Sequence, residues 1–332
     1  MNRETGRHFS KLGLAYFIAS ILFAAVQTLT VFVMKKFAPS VLENQTLSFL
    51  IPMLATYVIG VPLMDLVIRQ VPKGGQIQSC DMTKKQWGVT FLICYAGMYL
   101  ANMIGTTLTN VIGQLKGSGV SNEILDVAFS NDMWANILVM VLLAPVIEEL
   151  LFRKMLIDRT IQYGEGISVF FSALFFGLFH GNLNQFAYAF VIGGVFGFVY
   201  VKTGNIKYTI AMHMLINFIS SVISMSIIKL AGLDELLRMQ NDLSGAINPM
   251  EIMNIVTNHM VGFAILGIYL LIVFALVIIG VVLFFKYMNK IHLVSTAYTV
   301  QKGQRFRAYF LNPGMLLFVI LWCVKIVMQL VM

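Results

Sequence analysis

Long apolar runs are the feature that most constrains the fold of this chain. A helix of about 20 apolar residues crosses the ~30 Å hydrocarbon core of a bilayer. Nine apolar stretches are candidates: seven exceed that length, and the fifth and sixth are shorter. They are 12–33, 47–68, 88–112, 134–156, 167–179, 186–201, 208–228, 261–285 and 310–331. Because these runs are long and do not alternate with polar residues, a transmembrane β-barrel is excluded. The predicted fold class is all-α, a polytopic transmembrane helical bundle of eight or nine spans.

The composition excludes most other classes of protein. Only 11% of the residues are charged and 58% are hydrophobic, whereas a soluble domain carries about 25% charged residues. A water-soluble enzyme, a disordered protein and a disulfide scaffold are therefore excluded. The net charge of +8 does not indicate nucleic-acid binding, since basic loops are expected of a membrane protein. The predicted partner is the lipid bilayer, with no nucleic acid.

The loop charges predict an orientation. Basic residues fall on every second connection, at 3–11, 69–85, 153–159, 202–207 and 286–307, with Lys35 and Lys36 as the exception. The intervening connections are acidic or neutral, with Glu123, Asp126, Asp132, Asp234, Glu235, Asp242 and Glu251. The positive-inside rule then predicts a multi-pass protein of the cell membrane with a cytoplasmic N-terminus.

The chain divides into three predicted parts. Residues 1–132 hold three spans, 133–230 hold four, and 231–332 hold two. The polar residues that sit inside apolar runs concentrate in the middle part. Ionisable groups at membrane depth are costly, which makes them candidates for function. The segments are APVIEELLFR, with Pro145, Glu148, Glu149 and Arg153; FFGLFH, with Phe176 and His180; and HMLIN, with His213 and Asn217.

Helical spacing places the two adjacent acids, Glu148 and Glu149, on different faces of their helix. Glu149 and Arg153 are four residues apart with the acid first, which favours an ion pair on one helix face. Glu148 lies about 100° further round the helix and points elsewhere. Pro145 leaves the carbonyl of Val141 without its helical donor. His213 and Asn217, also four residues apart, share a face.

The chemistry of this set favours hydrolysis. A buried carboxylate with a histidine beside it can activate a water molecule, and a second histidine with an asparagine can donate to an oxyanion. No GxSxG motif or positioned cysteine offers an acyl nucleophile, so direct attack by water on an amide uses every residue. Zinc on one glutamate and two histidines is the alternative, but HExxH is absent and Asn217 would be unexplained. No cofactor is therefore predicted.

Other polar and small residues have structural interpretations. Asp65 is expected to pair with Arg69 at the i+4 spacing. Lys325 is expected to extend its amine to the membrane interface. Gly193, Gly194 and Gly197 are expected to allow close helix packing.

In chain order, EELLFR, FGLFH and HMLIN resemble the EExxxR, FxxxH and HxxxN/B motifs of the CPBP family. This family of CAAX proteases and bacteriocin-processing enzymes, also called Abi, includes the Ras-converting CAAX endopeptidase. The resemblance covers about 145–217.

The resemblance implies a glutamate-dependent intramembrane endopeptidase, without a bound metal, that cuts in a conical polar cavity within the membrane. By motif position, Glu148 would be the general base and His180 would hold and activate the water. His213 and Asn217 would form the oxyanion site, with Glu149 and Arg153 as structural support. The implied substrate is a hydrophobic or lipidated peptide or protein at the membrane.

Two non-proteolytic functions compete with this one. In a membrane scaffold or bacteriocin-immunity protein, the polar residues would only hold helices together. In a proton-coupled transporter, Glu148 would carry the proton, but the chain lacks the repeat and paired broken helices typical of such proteins.

Overall fold

The computed structural model describes residues 2–117, 131–236 and 249–331, and these ranges contain helices and connecting turns but no strand. The all-α prediction is therefore confirmed. Of the acidic residues used to predict orientation, Glu123, Asp126 and Asp242 lie outside the described residues, as does the side chain of Glu251.

Nine main helices organise the described part of the chain. They are α1 (Arg3–Phe37), α2 (Gln45–Ile68), α3 (Lys84–Lys116), α4 (Met133–Tyr163), α5 (Glu165–Phe179), α6 (Leu183–Thr203), α7 (Ile206–Leu230), α8 (Met260–Lys290) and α9 (Pro313–Val331). All but α5 are long and apolar enough to cross a membrane. The predicted multi-pass helical bundle is confirmed. Short helices at Pro39–Glu43, Pro249–Asn258 and Arg305–Tyr309 lie in the connections.

Hydrogen bonds between helix ends show which ends share one side of the bundle. At the side with most basic connections, the His8 ring lies 2.7 Å from the Arg159 carbonyl, and the Trp87 indole donates to the Tyr208 carbonyl. At the opposite side, Lys116 donates to the carbonyls at the end of α9. The basic connections therefore meet at one end of the bundle, as the alternation of loop charges requires.

Helices α5 and α6 form an antiparallel hairpin closed by an ion pair, in which the Lys202 amine lies 2.5 Å from the Glu165 carboxylate. Glycines bring the two helices together: a Cβ on Gly193 would lie 2.8 Å from the Cα of Ala173, and one on Gly197 would lie 3.3 Å from the Cα of Val169. The predicted close packing is confirmed at these two glycines. Because α5 has 15 residues, it is only about 22 Å long. The turn that follows α5 therefore lies inside the bundle and not at its end.

Three helices of the bundle contain π-helical turns. These turns are Thr56–Gly60 in α2, Ile137–Leu143 and Leu150–Met155 in α4, and Ile219–Ser224 in α7. A π-helical turn rotates the side chains after it relative to a regular helix and occurs often at functional sites. In α4 the segment Ala144–Glu149, which carries both glutamates, lies between two such turns.

The core of the bundle is aromatic and lies around α5. Phe175 stacks on Phe318 of α9 with ring centroids 4.1 Å apart, and Tyr16 of α1 donates its hydroxyl to the Leu151 carbonyl of α4 at 2.6 Å. Helix α6 also packs against α3, and α3 against α8. The three-part division of the chain stays a prediction.

Two further sequence predictions concern charged residues near helix ends. Arg69 Nε lies 2.7 Å from Asp65 Oδ2, which confirms the expected pair. Lys325 is exposed, with its amine 5.1 Å from the Trp322 ring centroid and its stem against Gly181. The expected extension of this amine to the interface stays a prediction.

Candidate active site

A fully buried ion pair lies at the centre of α4. Arg153 Nε approaches Glu149 Oε2 at 3.1 Å, and neither side chain is exposed to solvent. This approach lacks hydrogen-bond alignment, so charge attraction and ring contacts hold the guanidinium. Its carbon lies 4.3 Å from the Phe176 ring centroid and 5.3 Å from that of Phe196. The predicted pair is confirmed, and the two rings enclose its cation.

His213 connects the two adjacent glutamates. Its Nδ1 lies 3.1 Å from Glu149 Oε1, and its Nε2 lies 3.6 Å from Glu148 Oε2. A carboxylate can only accept, so Nδ1 carries a proton toward Glu149. Glu149 therefore fixes the orientation of this ring, as the acid of a catalytic acid–histidine pair does. The sequence did not predict this contact.

Glu148 has a different environment from Glu149. Its side chain is 27% exposed, whereas that of Glu149 is fully buried. Its partner within the site is His213. The predicted separation of the two acids is thus present: Glu149 is enclosed by its partners, and Glu148 faces an accessible space.

Phe176 and His180 form a second unit at the end of α5. His180 Nδ1 lies 2.7 Å from the Phe176 carbonyl. Since a carbonyl only accepts, Nδ1 carries the proton, and in the neutral ring Nε2 keeps its lone pair. The Phe176 ring contacts both imidazoles edge-on, with centroids 4.8 Å from His180 and 5.7 Å from His213. This phenylalanine, predicted only as a motif residue, brings the two histidines into one site.

Asn217 completes the backbone bonding of α4. In the π-helical turn, the Ala144 N–H bonds a carbonyl five residues earlier, so the next residue, Pro145, would bond Met140. Proline has no N–H, and Asn217 Nδ2 donates to the Met140 carbonyl instead, at 2.7 Å. In a regular α-helix, Pro145 would leave the carbonyl of Val141 without a donor. The π-helical turn shifts this unpaired position by one residue, to the carbonyl of Met140. The second N–H of this amide is still available to a ligand.

The six predicted site residues therefore meet where α4, α5 and α7 come together. Glu148, Glu149, Arg153 and His213 are linked by direct contacts, His180 joins through Phe176, and Asn217 lies one helical turn from His213. Sequence spacing identified the residues but not their partners across helices.

The expected absence of a metal cofactor stays a prediction. Within the described ranges, no group of three or more His, Cys, Asp or Glu side chains is placed to hold a metal ion. The Nδ1 atoms of His180 and His213 are already engaged with the Phe176 carbonyl and with Glu149.

Two cavities lie away from Glu148, at the end of the bundle where the basic connections meet. Their volumes are about 360 and 390 Å³, and both are lined in part by Lys202. The conical polar cavity expected around the site stays a prediction.

Comparison with known proteins supports the resemblance of the motifs. Residues 130–219 match the family described as type II CAAX prenyl endopeptidase Rce1-like. This match supports the resemblance of the central part of the chain to the CPBP family. The match spans α4, α5, α6 and the first half of α7, so all six candidate residues fall inside it.

A bacterial relative matches more of the chain than the family core. The protein of Bacillus subtilis (strain 168) called "Putative membrane peptidase YdiL" is 26% identical over 186 residues, which cover 54% of this chain and 71% of the relative. No solved structure matches the chain.

Proposed function

We propose that this protein is an intramembrane endopeptidase of the CAAX-protease type that hydrolyses a peptide bond by direct attack of water. The observation that carries the proposal is the position of His213 between two adjacent glutamates with unequal exposure. One acid is enclosed and orients the histidine. The other is accessible and can receive a proton.

In the proposed reaction, Glu148 is the general base. A water held between Glu148 and the free Nε2 of His180 attacks the scissile carbonyl carbon as the carboxylate takes one of its protons. The C–N bond then breaks, and the proton on Glu148 passes to the leaving amine. A positioned general base of this kind contributes roughly 10²–10⁴-fold to the rate.

His213 and Asn217 are proposed to stabilise the oxyanion. His213 presents Nε2 on the side of Glu148, and it would donate from Nε2 as the imidazolium, because its Nδ1 proton is given to Glu149. Asn217 has an amide N–H beyond the one given to Met140. Loss of one oxyanion donor typically lowers kcat by about 10²–10³-fold. Glu149 and Arg153 support the site by fixing the His213 ring.

The substrate is proposed to be a hydrophobic or lipidated membrane-associated peptide or protein, and the reaction to need no cofactor. The protein would lie in the cell membrane with a cytoplasmic N-terminus. A farnesylated, internally quenched peptide ending in a CAAX sequence, compared with the same peptide without the farnesyl group, tests the need for a prenyl chain. Cleavage that persists with a zinc chelator supports the metal-free mechanism, and loss of cleavage contradicts it.

The decisive test compares membrane peptidomes from cells that express the wild type or Glu148→Gln. A peptide product that requires Glu148 is expected, and it identifies the substrate as well. Glu43→Gln is the matched control, because Glu43 is an exposed acid in the connection between α1 and α2. Identical peptidomes for Glu148→Gln and wild type would contradict the proposal.

A scaffold or immunity protein is the second candidate, favoured by the complete burial of Glu149 and Arg153. It predicts that Glu148→Gln keeps the cellular phenotype whenever the protein accumulates to the wild-type level. The peptidome comparison separates these two functions.

A further inference from the structure

A cavity of about 390 Å³ lies at the end of the bundle where the basic connections meet. Its walls come from the first turns of α3, the last turns of α6 and the end of α8, and we call it the α3–α6–α8 cavity. The volume falls within the roughly 300–1,000 Å³ of sites that bind small molecules. None of the six candidate active-site residues is among the described residues that line it, so it is a separate candidate site.

The α3–α6–α8 cavity is polar at its mouth and apolar further in. Gln86 lines it near the start of α3, and Thr90 lines it one helical turn further into the bundle. Likewise, Lys202 lies near the end of α6, and Phe198 lies one turn further in, next to Val199. One turn corresponds to about 6 Å along the helix axis. This gradient fits an amphiphile whose headgroup lies at the mouth and whose hydrocarbon lies inside.

Two lysines at the end of α8 have no acidic partner among the described residues. The amines of Lys286 and Lys290 lie 5.7 and 5.3 Å from the centroid of the Tyr287 ring, and neither forms an ion pair with an acid that the structure describes. A contact with a ring face leaves ammonium protons available to an anion. Lys290 lines the cavity together with the exposed His292, so this side of the cavity has basic groups without a counter-ion.

The acids nearest to the cavity in the chain are engaged elsewhere. Glu165 contacts the Lys202 amine at 2.5 Å and accepts from the backbone N–H of Val294 at 2.7 Å. Asp81 accepts a hydrogen bond from the Tyr208 hydroxyl at 3.4 Å. The charge of Lys202 is therefore matched within the protein, whereas the charge at the end of α8 is not.

We propose that the α3–α6–α8 cavity binds the headgroup of an anionic phospholipid. The phosphate would lie against Lys290 and His292, the glycerol would reach Gln86, and the acyl chains would follow Phe198 toward the centre of the membrane. Basic pockets between transmembrane helices bind anionic lipid headgroups in this way. The site does not depend on the proposed proteolytic activity.

A free phosphate ion shares the charge of a lipid headgroup but gains nothing from an apolar wall. Phe198 and Val199 line the inner part of the cavity, which fits a phosphate that is attached to hydrocarbon. The cavity also lies at the end of helices long enough to cross the hydrocarbon core, which is the depth of the lipid headgroups. These observations favour the lipid over the free ion.

The test measures lipid binding to the full-length protein in detergent by native mass spectrometry. Titrations with dioleoylphosphatidylglycerol, dioleoylphosphatidylcholine and inorganic phosphate are compared, and one phosphatidylglycerol molecule should bind most tightly. Lys290→Gln should weaken its binding about fivefold, the effect of one lysine charge on an anionic lipid. Lys302→Gln is the matched control, because Lys302 is an exposed lysine of the connection after α8 and lines neither cavity.

A second variant separates the cavity from the general charge of the surface. Thr90→Trp fills the cavity without changing a charge, so it should remove the preference for phosphatidylglycerol over phosphatidylcholine. Equal affinity of the wild type for the two lipids would overturn the proposal, as would equal affinities of Lys290→Gln and Lys302→Gln for phosphatidylglycerol. Inorganic phosphate that binds as tightly as phosphatidylglycerol would also overturn it, since the site would then recognise the free ion. If Thr90→Trp does not fold, the comparison of the two lysine variants decides alone.

Discussion

Two acid–arginine pairs of identical spacing occur in different regions of this protein. At the end of α2, Asp65 and Arg69 lie 2.7 Å apart, and their side chains are 28% and 71% exposed. In the middle of α4, Glu149 and Arg153 lie 3.1 Å apart, and neither is exposed. In both pairs the acid precedes the base by four residues, the favourable order on a helix.

The difference lies in what surrounds each pair. The buried pair is enclosed by the Phe176 and Phe196 rings and extends through Glu149 to His213. An exposed ion pair contributes about 0–1 kcal/mol, whereas removing one partner of a buried pair costs roughly 3–5 kcal/mol. Equal spacing therefore predicts that a pair forms, and the packing around it decides its energy and its role.

The largest expected effect tests this contrast directly. Arg153→Met leaves the Glu149 carboxylate buried without its cation, and we expect it to lower the free energy of unfolding by roughly 3–5 kcal/mol. Arg69→Met is the matched control, with an expected loss below about 1 kcal/mol. Unfolding of both variants in mixed detergent micelles measures the difference. Equal losses would show that burial does not distinguish the two pairs.

A smaller effect is expected at Asn217, whose amide bonds the Met140 carbonyl. Asn217→Leu leaves that carbonyl without a donor, which should cost roughly 1–3 kcal/mol. Pro145→Ala restores a backbone N–H to this turn of α4, so the double variant should recover part of the loss. Unfolding free energies of the two single variants and the double variant form the required cycle. Additive losses would contradict the assignment of Asn217 as the substitute donor.

The smallest effect on stability is expected when both charges of the buried pair are removed together. Replacing a buried pair by apolar residues of similar volume is often nearly neutral. Glu149→Leu with Arg153→Met should therefore lose only about 1 kcal/mol, the contribution of the hydrogen bond between His213 and Glu149. Its cleavage activity should nevertheless fall, because His213 loses the acceptor that orients its ring. A double variant that is stable and fully active would show that Glu149 has no role in orienting His213.

The sequence predicts the helices and the polar residues well because both depend on local pattern. Apolar length predicts all nine helices, and the i+4 spacing predicts both acid–arginine pairs. Contacts across helices were not predicted, among them Glu149 with His213 and Asn217 with Met140. These contacts depend on the rotation of each helix, and the π-helical turns of α2, α4 and α7 change that rotation without a signal in the 3.6-residue period.

The central claim is that two adjacent glutamates have separate roles, one in chemistry and one in structure. Its most direct test measures cleavage and unfolding together for purified Glu148→Gln and Glu149→Gln, using the product identified in the membrane peptidome. Glu148→Gln is expected to lose cleavage by at least about 10²-fold while unfolding like the wild type, and Glu149→Gln is expected to lose stability as well as activity. Wild-type cleavage by a folded Glu148→Gln protein would contradict the account.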